Sequence, residues 1–295
     1  MTQARAVRVE AGAPTRLDAF VRAELPHLSR RVARLLIDEG AVRVNGRFAA
    51  KGTSLAPGDE VLLPEVPGLA PDETGMLDVL YQDDRVLAVD KPGGIPGHAL
   101  DPRERGTLAS MLLARHPELA GIGDALAPGF VHRLDTGTSG VLLVGRTAED
   151  HLALRSAFAR HEVTKRYVAV VTGRPQAGRV IDAALAHDPR DRRRMIAARA
   201  GDRAWPAATR IVETRGHGPW NLVTVEIRTG VTHQVRAHLA LAGHPVAGDL
   251  LYGGAPADLA PLRHALHAAR LELPSWHLEV EAPLPDDLAR LARDG

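Results

Sequence analysis

The sequence predicts an α+β protein with a small N-terminal module and a larger mixed domain. Short apolar runs typical of strands are interspersed with amphipathic helical patterns along the chain. A stretch rich in proline and glycine begins at residue 64, has weak periodicity and is typical of a linker between the two parts. Hydrophobic residues make up 45% of the 295 positions and aromatic residues only 3%, so we expect a sizeable, aliphatic core.

The composition excludes several classes of protein. The chain has no cysteine, which rules out disulfides and thiolate zinc sites and gives no reason to expect secretion. No apolar run approaches the length of a membrane span, and the first residues lack the apolar stretch of a signal peptide. We therefore expect a cytoplasmic monomer without a membrane partner. The net charge of +1 is too balanced to indicate nucleic-acid binding by itself.

Two helices are predicted at the start of the small module. Apolar residues recur at helical spacing over 16–25, and Thr15 is placed to cap this helix. A second helix is predicted over 30–39, with Ser29 as its cap and Gly40 as its end.

Short strands follow, over 41–44 and 59–63, and Asn45-Gly46 is a strong hairpin signal after the first of them. Six basic residues lie between positions 28 and 51, against two acids: Arg30, Arg31, Arg34, Arg43, Arg47 and Lys51. Such a charge run is also typical of a solvated face.

The larger domain is predicted to mix strands and helices. The predicted elements are two strands within 77–90, a strand over 141–145, a helix over 148–160, strands over 164–172 and 222–227, and a helix over 232–242.

The basic residues are strongly biased toward arginine. Of 37 basic residues only three are lysine, namely Lys51, Lys91 and Lys165. These positions are candidates for sites that need a compact ammonium rather than a planar guanidinium, although three survivors could also arise by chance. A second cluster of arginines, which could equally be a solvated face, consists of Arg190, Arg192, Arg193, Arg194, Arg199 and Arg203.

The segment 130–140 carries the strongest indication of chemistry. It places Asp135 between an apolar run and the small-residue loop 136–140, just before the buried strand predicted over 141–145. A carboxylate at the mouth of a buried strand is a candidate catalytic group. An Asp before Thr-Gly is also a common turn former, and the residues alone favour that interpretation.

The words His132-Arg-Leu-Asp135 and Thr138-Ser-Gly140 resemble the signature of the RluA family of RNA pseudouridine synthases. Further segments resemble the same family, in family order: 90–94, 165–167, 229–238, 243–253, 266–268 and 283–285. The pattern of residues 17–59 resembles the S4-type RNA-binding domain. The resemblance implies an RNA-binding domain over 1–64, a linker over 65–76, and a catalytic domain with a mainly antiparallel sheet over 77–295.

This resemblance implies roles for individual residues. Asp135 would be the catalytic residue, Tyr167 a flat face for the uracil, and Arg236 a partner that holds Asp135 ionised through a fork of hydrogen bonds. Arg133 would help to hold the flipped-out conformation of the RNA. The simpler alternative is that Arg133 only contacts a phosphate. Further RNA-binding residues would be Lys165 and Lys91 in the catalytic domain and Arg30, Arg31, Arg34, Arg47 and Lys51 in the small module, the last five as phosphate contacts. Tyr167 could instead be a core aromatic, and Arg236 a surface ion pair.

The implied reaction is the isomerisation of uridine to pseudouridine in RNA, which needs no cofactor. Three routes remain open, because Asp135 could attack uracil C6, attack ribose C1′, or take a proton from the ribose. We expect no metal site, since His233 and His238 are five positions apart and miss the spacing of a helical zinc pair. We expect His132, His233, His238 and His267 to be structural, hydrogen-bonding residues.

One position departs from the family pattern. Val231 stands where the family usually has an arginine after Thr-Gly. This loss of a cation leaves a second function open, a non-catalytic RNA-binding or ribosome-assembly protein on the same fold. The expected partner is RNA, with large-subunit ribosomal RNA favoured and tRNA as the alternative.

Overall fold

The chain forms two compact units in the computed structural model, which describes residues 4–13, 15–25, 28, 30–65, 68–216, 218–259 and 262–294. The smaller unit comprises residues 1–75 and 98–130, and the larger comprises residues 76–97 and 131–295. The helices are α1 (Leu17–Glu24), α2 (Arg30–Asp38), α3 (Leu108–Arg115), α4 (Ala148–Ala159), α5 (Gln234–Leu241) and α6 (Asp286–Asp294). The strands of the smaller unit are β1 (Arg5–Arg8), β2 (Arg43–Val44), β3 (Arg47–Phe48), β4 (Glu60–Leu63), β7 (Gly123–Asp124) and β8 (Ala127–Pro128). Those of the larger unit are β5 (Asp78–Gln82), β6 (Val86–Lys91), β9 (Ser139–Gly145), β10 (Thr164–Thr172), β11 (Val180–Asp182), β12 (Leu185–His187), β13 (Met195–Ala197), β14 (Ala208–Arg215), β15 (Trp220–Ile227), β16 (Leu266–Leu273) and β17 (Leu278–Glu281).

The N-terminal part of the smaller unit is an antiparallel sheet of order β1-β4-β2-β3 beside the helices α1 and α2. The predicted hairpin turn is confirmed: Asn45 and Gly46 both have positive φ, 49° and 74°, as a tight turn between β2 and β3 requires. Gly40, with φ 70°, follows α2 as predicted.

The predicted cap of α1 is wrong. The helix is preceded by Arg16, which makes no side-chain cap hydrogen bond, so Thr15 lies one residue too early. The backbone carbonyl of Thr15 instead accepts a hydrogen bond from the amide of Leu55, 2.7 Å away, in the chain that precedes the helix. The predicted cap of α2, Ser29, lies outside the described residues.

Residues 98–130 belong to the smaller unit, which differs from the predicted boundaries. Buried Ala99, Ala109 and Leu126 share one apolar cluster with Leu28 and Val32 of the N-terminal part. Periodicity along the sequence could not indicate this grouping, because the contacts join segments some 70 residues or more apart.

The described part of the predicted linker is not free chain. The carboxylate of Asp72 is buried and accepts hydrogen bonds from Thr74 and from the amide of Gly106, 2.8 Å away. Leu69 is buried in the same apolar cluster. The segment whose prolines and glycines indicate a linker is therefore held in place by one buried carboxylate and one buried leucine.

The larger unit is built on one twisted sheet of order β11-β14-β15-β10-β16-β9-β6-β5, with β17 paired to β16. Its pairs are antiparallel except that of β9 with β16, so the expected mainly antiparallel sheet is confirmed. The strand predicted over 164–172 is β10 with the same bounds. The helix predicted over 148–160 is α4, which packs Leu154 and Ala157 against Leu143 of the sheet.

The parallel pair of β9 and β16 joins His267 to Ser139 and Ala268 to Gly140. Gly140 has a φ of 111°, and a β-carbon at this position would lie 2.2 Å from the carbonyl oxygen of Ala268. Only glycine allows this close approach, which fixes where β9 begins and therefore where the loop before it lies. Among the described residues, no helix is both long enough and apolar enough to cross a membrane.

Candidate active site

A cavity of about 380 Å³ opens in the larger unit beside the loop that precedes β9. Asp135 projects from this loop, Lys165 and Tyr167 come from β10, and Arg236 comes from α5. Arg133 is exposed at the same cavity. The structure thus brings these five predicted site residues together from three separate segments of the chain.

Asp135 is held by positive charge. Its Oδ2 accepts a hydrogen bond from Nη1 of Arg236 at 2.9 Å, and Nε2 of His233 lies 3.8 Å from its Oδ1. Burial alone would raise the pKa of this carboxyl, but His233 and Arg236 outweigh burial and hold the pKa below its usual value. The carboxylate is therefore ionised at neutral pH and lines the cavity.

Arg236 makes its fork of hydrogen bonds with another carboxylate. Its Nε and Nη2 donate to the two oxygens of Asp249 at 2.6 and 2.8 Å, and only Nη1 is left for Asp135. The predicted pairing with Asp135 is present, but the predicted fork to it is wrong. The side chain of Asp249 is only 1% exposed, so this carboxylate fixes the guanidinium in place.

Tyr167 is 8% exposed and lines the cavity. Burial, and then the charge of Asp135, raise the pKa of its phenol, so the side chain remains neutral. An uncharged ring beside an ionised carboxylate can receive a flat base without adding repulsion.

Lys165 has one hydrogen bond, from Nζ to the carbonyl of Thr229 at 2.8 Å, and lies 5.7 Å from the centre of the Phe158 ring. Burial lowers its pKa to about 8. An ammonium has three donors. Among the described residues, Thr229 uses one of those of Lys165, so two donors remain for a ligand.

Lys91 is completely buried, which does not agree with the predicted direct contact to RNA. Its Nζ donates to the carbonyls of Pro92, Thr136 and Thr138 at 2.8, 3.1 and 2.8 Å. All three donors are used within the protein. Lys91 therefore ties the end of β6 to the loop of Asp135 and acts as a positioning residue.

His233 is the N-cap residue immediately before α5 and has a positive φ of 55°. The amide of Met195 donates to the hydroxyl of Tyr252 at 2.8 Å, and Nδ1 of His233 lies 3.1 Å from the same hydroxyl. The other ring nitrogen of His233, Nε2, faces Asp135. Burial lowers the pKa of His233, so the permanent positive charge beside Asp135 is that of Arg236.

The expected structural histidines all have hydrogen-bond partners. His132 accepts from the amide of Leu143 at 2.9 Å, His238 lies 2.8 Å from the hydroxyl of Thr209, and His267 lies 2.9 Å from that of Ser139. Among the described residues, no group of three His, Cys, Asp or Glu side chains is arranged to hold a metal ion.

Three residues of the site are not predicted as site residues by the sequence. Phe158 lines the cavity and belongs to the helix predicted over 148–160. Asp249 contacts Arg236 and Tyr252 contacts His233, and both lie within a segment that carries the family resemblance. The side chain of Val231 is half-buried and packs against the cluster that contains Met195 and Tyr252.

The predicted phosphate contacts of the small module lie on the smaller unit. Their side chains are exposed: Arg30, Arg31, Arg34, Arg47 and Lys51. Arg34 forms an ion pair with Asp38 at 3.2 Å.

Comparison with known proteins agrees with this geometry. Residues 85–241 match the family RNA pseudouridylate synthase, and residues 15–61 match the S4 domain. An uncharacterized RNA pseudouridine synthase of Chloroflexus aurantiacus is 39% identical, over 94% of this chain and 89% of that protein. The ribosomal large subunit pseudouridine synthase D of Xanthomonas campestris is 36% identical, over 97% of this chain and 91% of that protein.

Among solved structures, human RNA pseudouridylate synthase domain containing 1 superposes with a TM-score of 0.56. It is 28% identical, and the match covers 74% of this chain and 86% of that one. Sequence, fold and the arrangement around Asp135 lead to one conclusion: the chain belongs to the RNA pseudouridylate synthase family and is an RNA pseudouridine synthase with an N-terminal S4 domain.

Proposed function

We propose that this enzyme isomerises uridine to pseudouridine in large-subunit ribosomal RNA, with Asp135 as the catalytic residue. The observation that carries the proposal is an ionised Asp135, held by Arg236 in a cavity that Tyr167 also lines. Relatives named ribosomal large subunit pseudouridine synthase D match nearly the whole chain at 36% and 34% identity, which supports this choice of RNA.

The reaction asks little of the protein beyond positioning and proton transfer. The bond between C1′ and N1 breaks, C1′ joins C5, the C5 proton leaves, and N1 regains a proton. The atoms balance without an oxidant or a reductant. Asp135 supplies the charge and the nucleophilic or basic oxygen, and Arg236 keeps this oxygen ionised and aimed.

The other residues bind the RNA. The target base must leave its stack to reach Asp135, and Tyr167 offers it a neutral face in the cavity. Lys165 and exposed Arg133 contribute cations at the same cavity. The exposed Arg30, Arg31 and Arg47, with Arg34 and Lys51, contact RNA phosphates from the S4 domain. We propose further that the enzyme works as a cytoplasmic monomer.

The test is tritium release from RNA labelled at C5 of uridine. Full-length protein should release tritium from large-subunit ribosomal RNA transcripts, and Asp135→Asn should lower the rate by at least roughly 1,000-fold. Asp191→Asn serves as the control, because Asp191 is paired with exposed Arg193 at 2.7 Å. Tritium release from transfer RNA alone would show that transfer RNA, and not ribosomal RNA, is the substrate. No release from either RNA would overturn the proposal.

A cellular experiment separates catalysis from RNA binding. In a strain that lacks the gene, the wild-type chain should restore specific pseudouridines in ribosomal RNA, and Asp135→Asn should not. Restoration of every function by Asp135→Asn would favour the non-catalytic alternative.

A further inference from the structure

A second cavity of about 450 Å³ adjoins the catalytic one. The two cavities share the same wall, formed by Gly230, Val231 and Thr232 with His161. The far side of the second cavity is lined by Trp205 and His187, whose rings meet edge to face with centres 5.5 Å apart. Its size lies in the range of pockets that bind small organic groups.

Trp205 is one of only three tryptophans in the chain, and it lines this second cavity. It is partly buried at the edge of an apolar cluster that contains Leu185 and Tyr252. Its backbone is fixed by two hydrogen bonds with Leu185, of 2.8 and 2.9 Å. The backbone that carries the indole is therefore held in place, and the indole packs on one apolar cluster and offers a flat wall on which a base can stack.

The surroundings of Trp205 are suited to a nucleotide. The guanidinium of exposed Arg203 lies 5.7 Å from the centre of the indole ring, and that of Arg194 lies 5.7 Å from the centre of the Tyr252 ring. Aromatic rings with arginines beside them bind bases through stacking and phosphates through charge.

Val231 makes the shared wall apolar. Its side chain packs with Trp205, Tyr252 and Leu185 in one cluster. An aliphatic side chain here lets flat rings lie close on both sides, with no cation between the two cavities. The position that departs from the family pattern is thus part of the boundary between two adjoining cavities.

We propose that the second cavity binds the base of a nucleotide adjacent to the target uridine, stacked on Trp205. The inference rests on the proposed function, since an RNA strand that delivers a uridine to Asp135 carries its neighbours past the shared wall. Trp205 would then contribute to the choice of target uridine without touching the reacting atoms.

The test measures binding rather than turnover, so it is independent of which RNA the enzyme modifies. The probe is a single-stranded RNA nonamer with one central uridine, bound to Asp135→Asn protein so that no conversion occurs. Trp205→Ala should weaken binding by roughly tenfold or more, because stacking on one aromatic ring has about this effect. Trp205→Phe should retain most of the affinity.

Tryptophan fluorescence adds a readout that a structural role would not change. RNA should quench the fluorescence of the Asp135→Asn protein, and Trp205→Phe should abolish most of the quenching. Trp220→Phe is the matched control: Trp220 is also partly buried, but it begins β15, whose other end, Ile227, lines the catalytic cavity. The two strand ends are about 23 Å apart.

Abasic nonamers identify the bound nucleotide. Removal of the base on the 5′ or the 3′ side of the uridine should weaken binding to the Asp135→Asn protein, but not to the variant that also lacks Trp205. Unchanged affinity of Trp205→Ala, persistent quenching in Trp205→Phe, or no effect of either abasic site would each overturn the proposal. So would a nonamer that fails to bind at all.

Discussion

Arg236 divides its hydrogen bonds between two carboxylates, and this division defines the site at the scale of single residues. Asp249 takes two of them and Asp135 takes one. A guanidinium can do this because its donors diverge in a fixed plane, whereas an ammonium cannot span both partners. The nearly full burial of Arg236 and Asp249 makes the loss of either one costly.

Arg236→Lys should therefore lower kcat by at least roughly 100-fold, or about 2.7 kcal/mol, while the protein remains folded. The matched control is Arg270→Lys, since Arg270 also contacts several carboxylates but lies at the surface. Single-turnover tritium release checks the prediction. Equal rates for the two variants would show that the geometry of the fork does not matter.

The lowered pKa of Lys165 predicts an alkaline limb in the activity. Burial brings this pKa to about 8, below its ordinary value of 10.5, so the ammonium is charged below pH 8 and neutral above it. We expect kcat/KM to fall as the pH rises through about 8, because the cavity then loses a cation that we propose to bind RNA.

Lys165→Arg provides the check, since a guanidinium stays charged to well above this range. The alkaline fall should disappear in this variant, even if its maximal rate is lower. An unchanged alkaline limb would assign the fall to another group.

The residues of the site that lie in contiguous motifs can be identified from the sequence. Asp135, Tyr167, Arg236 and Lys165 meet at one cavity as expected. Asp249 lies in a segment that resembles the family, but neither its contact with Arg236 nor the place of Trp205 can be identified in this way, because a carboxylate in a loop and an aromatic between strands have no pattern that indicates their partners. Their partners are 13 and 20 residues away in sequence, so only the fold shows the contacts.

At the scale of elements, the parallel pair of β9 and β16 positions the catalytic loop. The pair extends over only two residues of each strand, and Gly140 is one of them. Since Asp135 lies five positions before Gly140, any shift of β9 moves the carboxylate relative to Arg236.

Gly140→Ala should lower the free energy of unfolding by at least about 3 kcal/mol, because the new β-carbon meets a backbone oxygen. Gly178→Ala is the matched control: Gly178 has a φ of 84° but nothing within 4 Å of the added carbon. That control should cost only about 1–2 kcal/mol, the penalty for positive φ. Urea unfolding of both variants measures the difference. Similar losses of unfolding free energy in the two variants would show that the close approach of Gly140 to Ala268 does not matter.

Elements with strong periodicity can be predicted, and elements fixed by tertiary contacts cannot. The mostly apolar run 164–172 is a strand with those bounds, and Lys165, Tyr167, Ala169 and Val171 on one of its faces are buried. Prolines and glycines recur in the segment 65–76 and indicate a linker, yet the buried side chains of Asp72 and Leu69 anchor it to the smaller unit. No local pattern distinguishes a carboxylate that caps distant amides from one that faces water.

At the scale of the whole molecule, the two units carry different parts of the proposed RNA recognition. The cavity with Asp135 lies in the larger unit, and the exposed arginines of α2 lie in the smaller. Contacts to phosphates add affinity without reading sequence and weaken as salt rises. The chemistry and much of the affinity can therefore be changed separately.

Arg30→Ala combined with Arg31→Ala should raise KM roughly tenfold at low salt and leave kcat unchanged. The slope of log affinity against log salt should become shallower by about 0.7–0.9 for each RNA phosphate that the protein no longer neutralises. Arg103→Ala is the control, because Arg103 is exposed on the same unit but paired with Asp101 at 3.0 Å. An unchanged salt slope in the double variant would place the phosphate-binding residues elsewhere.

The insertion of residues 98–130 into the smaller unit has a consequence for how the chain folds. The pairing of Lys91 with Gly140 in β6 and β9 closes a long loop, and the entropy lost on closure grows with the length of flexible chain. Within that loop, the amide of Ala99 donates to the carbonyl of Leu126 at 3.1 Å, which draws the two ends of the inserted segment together. Once the smaller unit has formed, the remaining loop is short. The smaller unit thus lowers the entropic barrier to assembling β6 with β9. A chain without residues 1–75, in which the segment 98–130 has lost its packing partners, should refold more slowly.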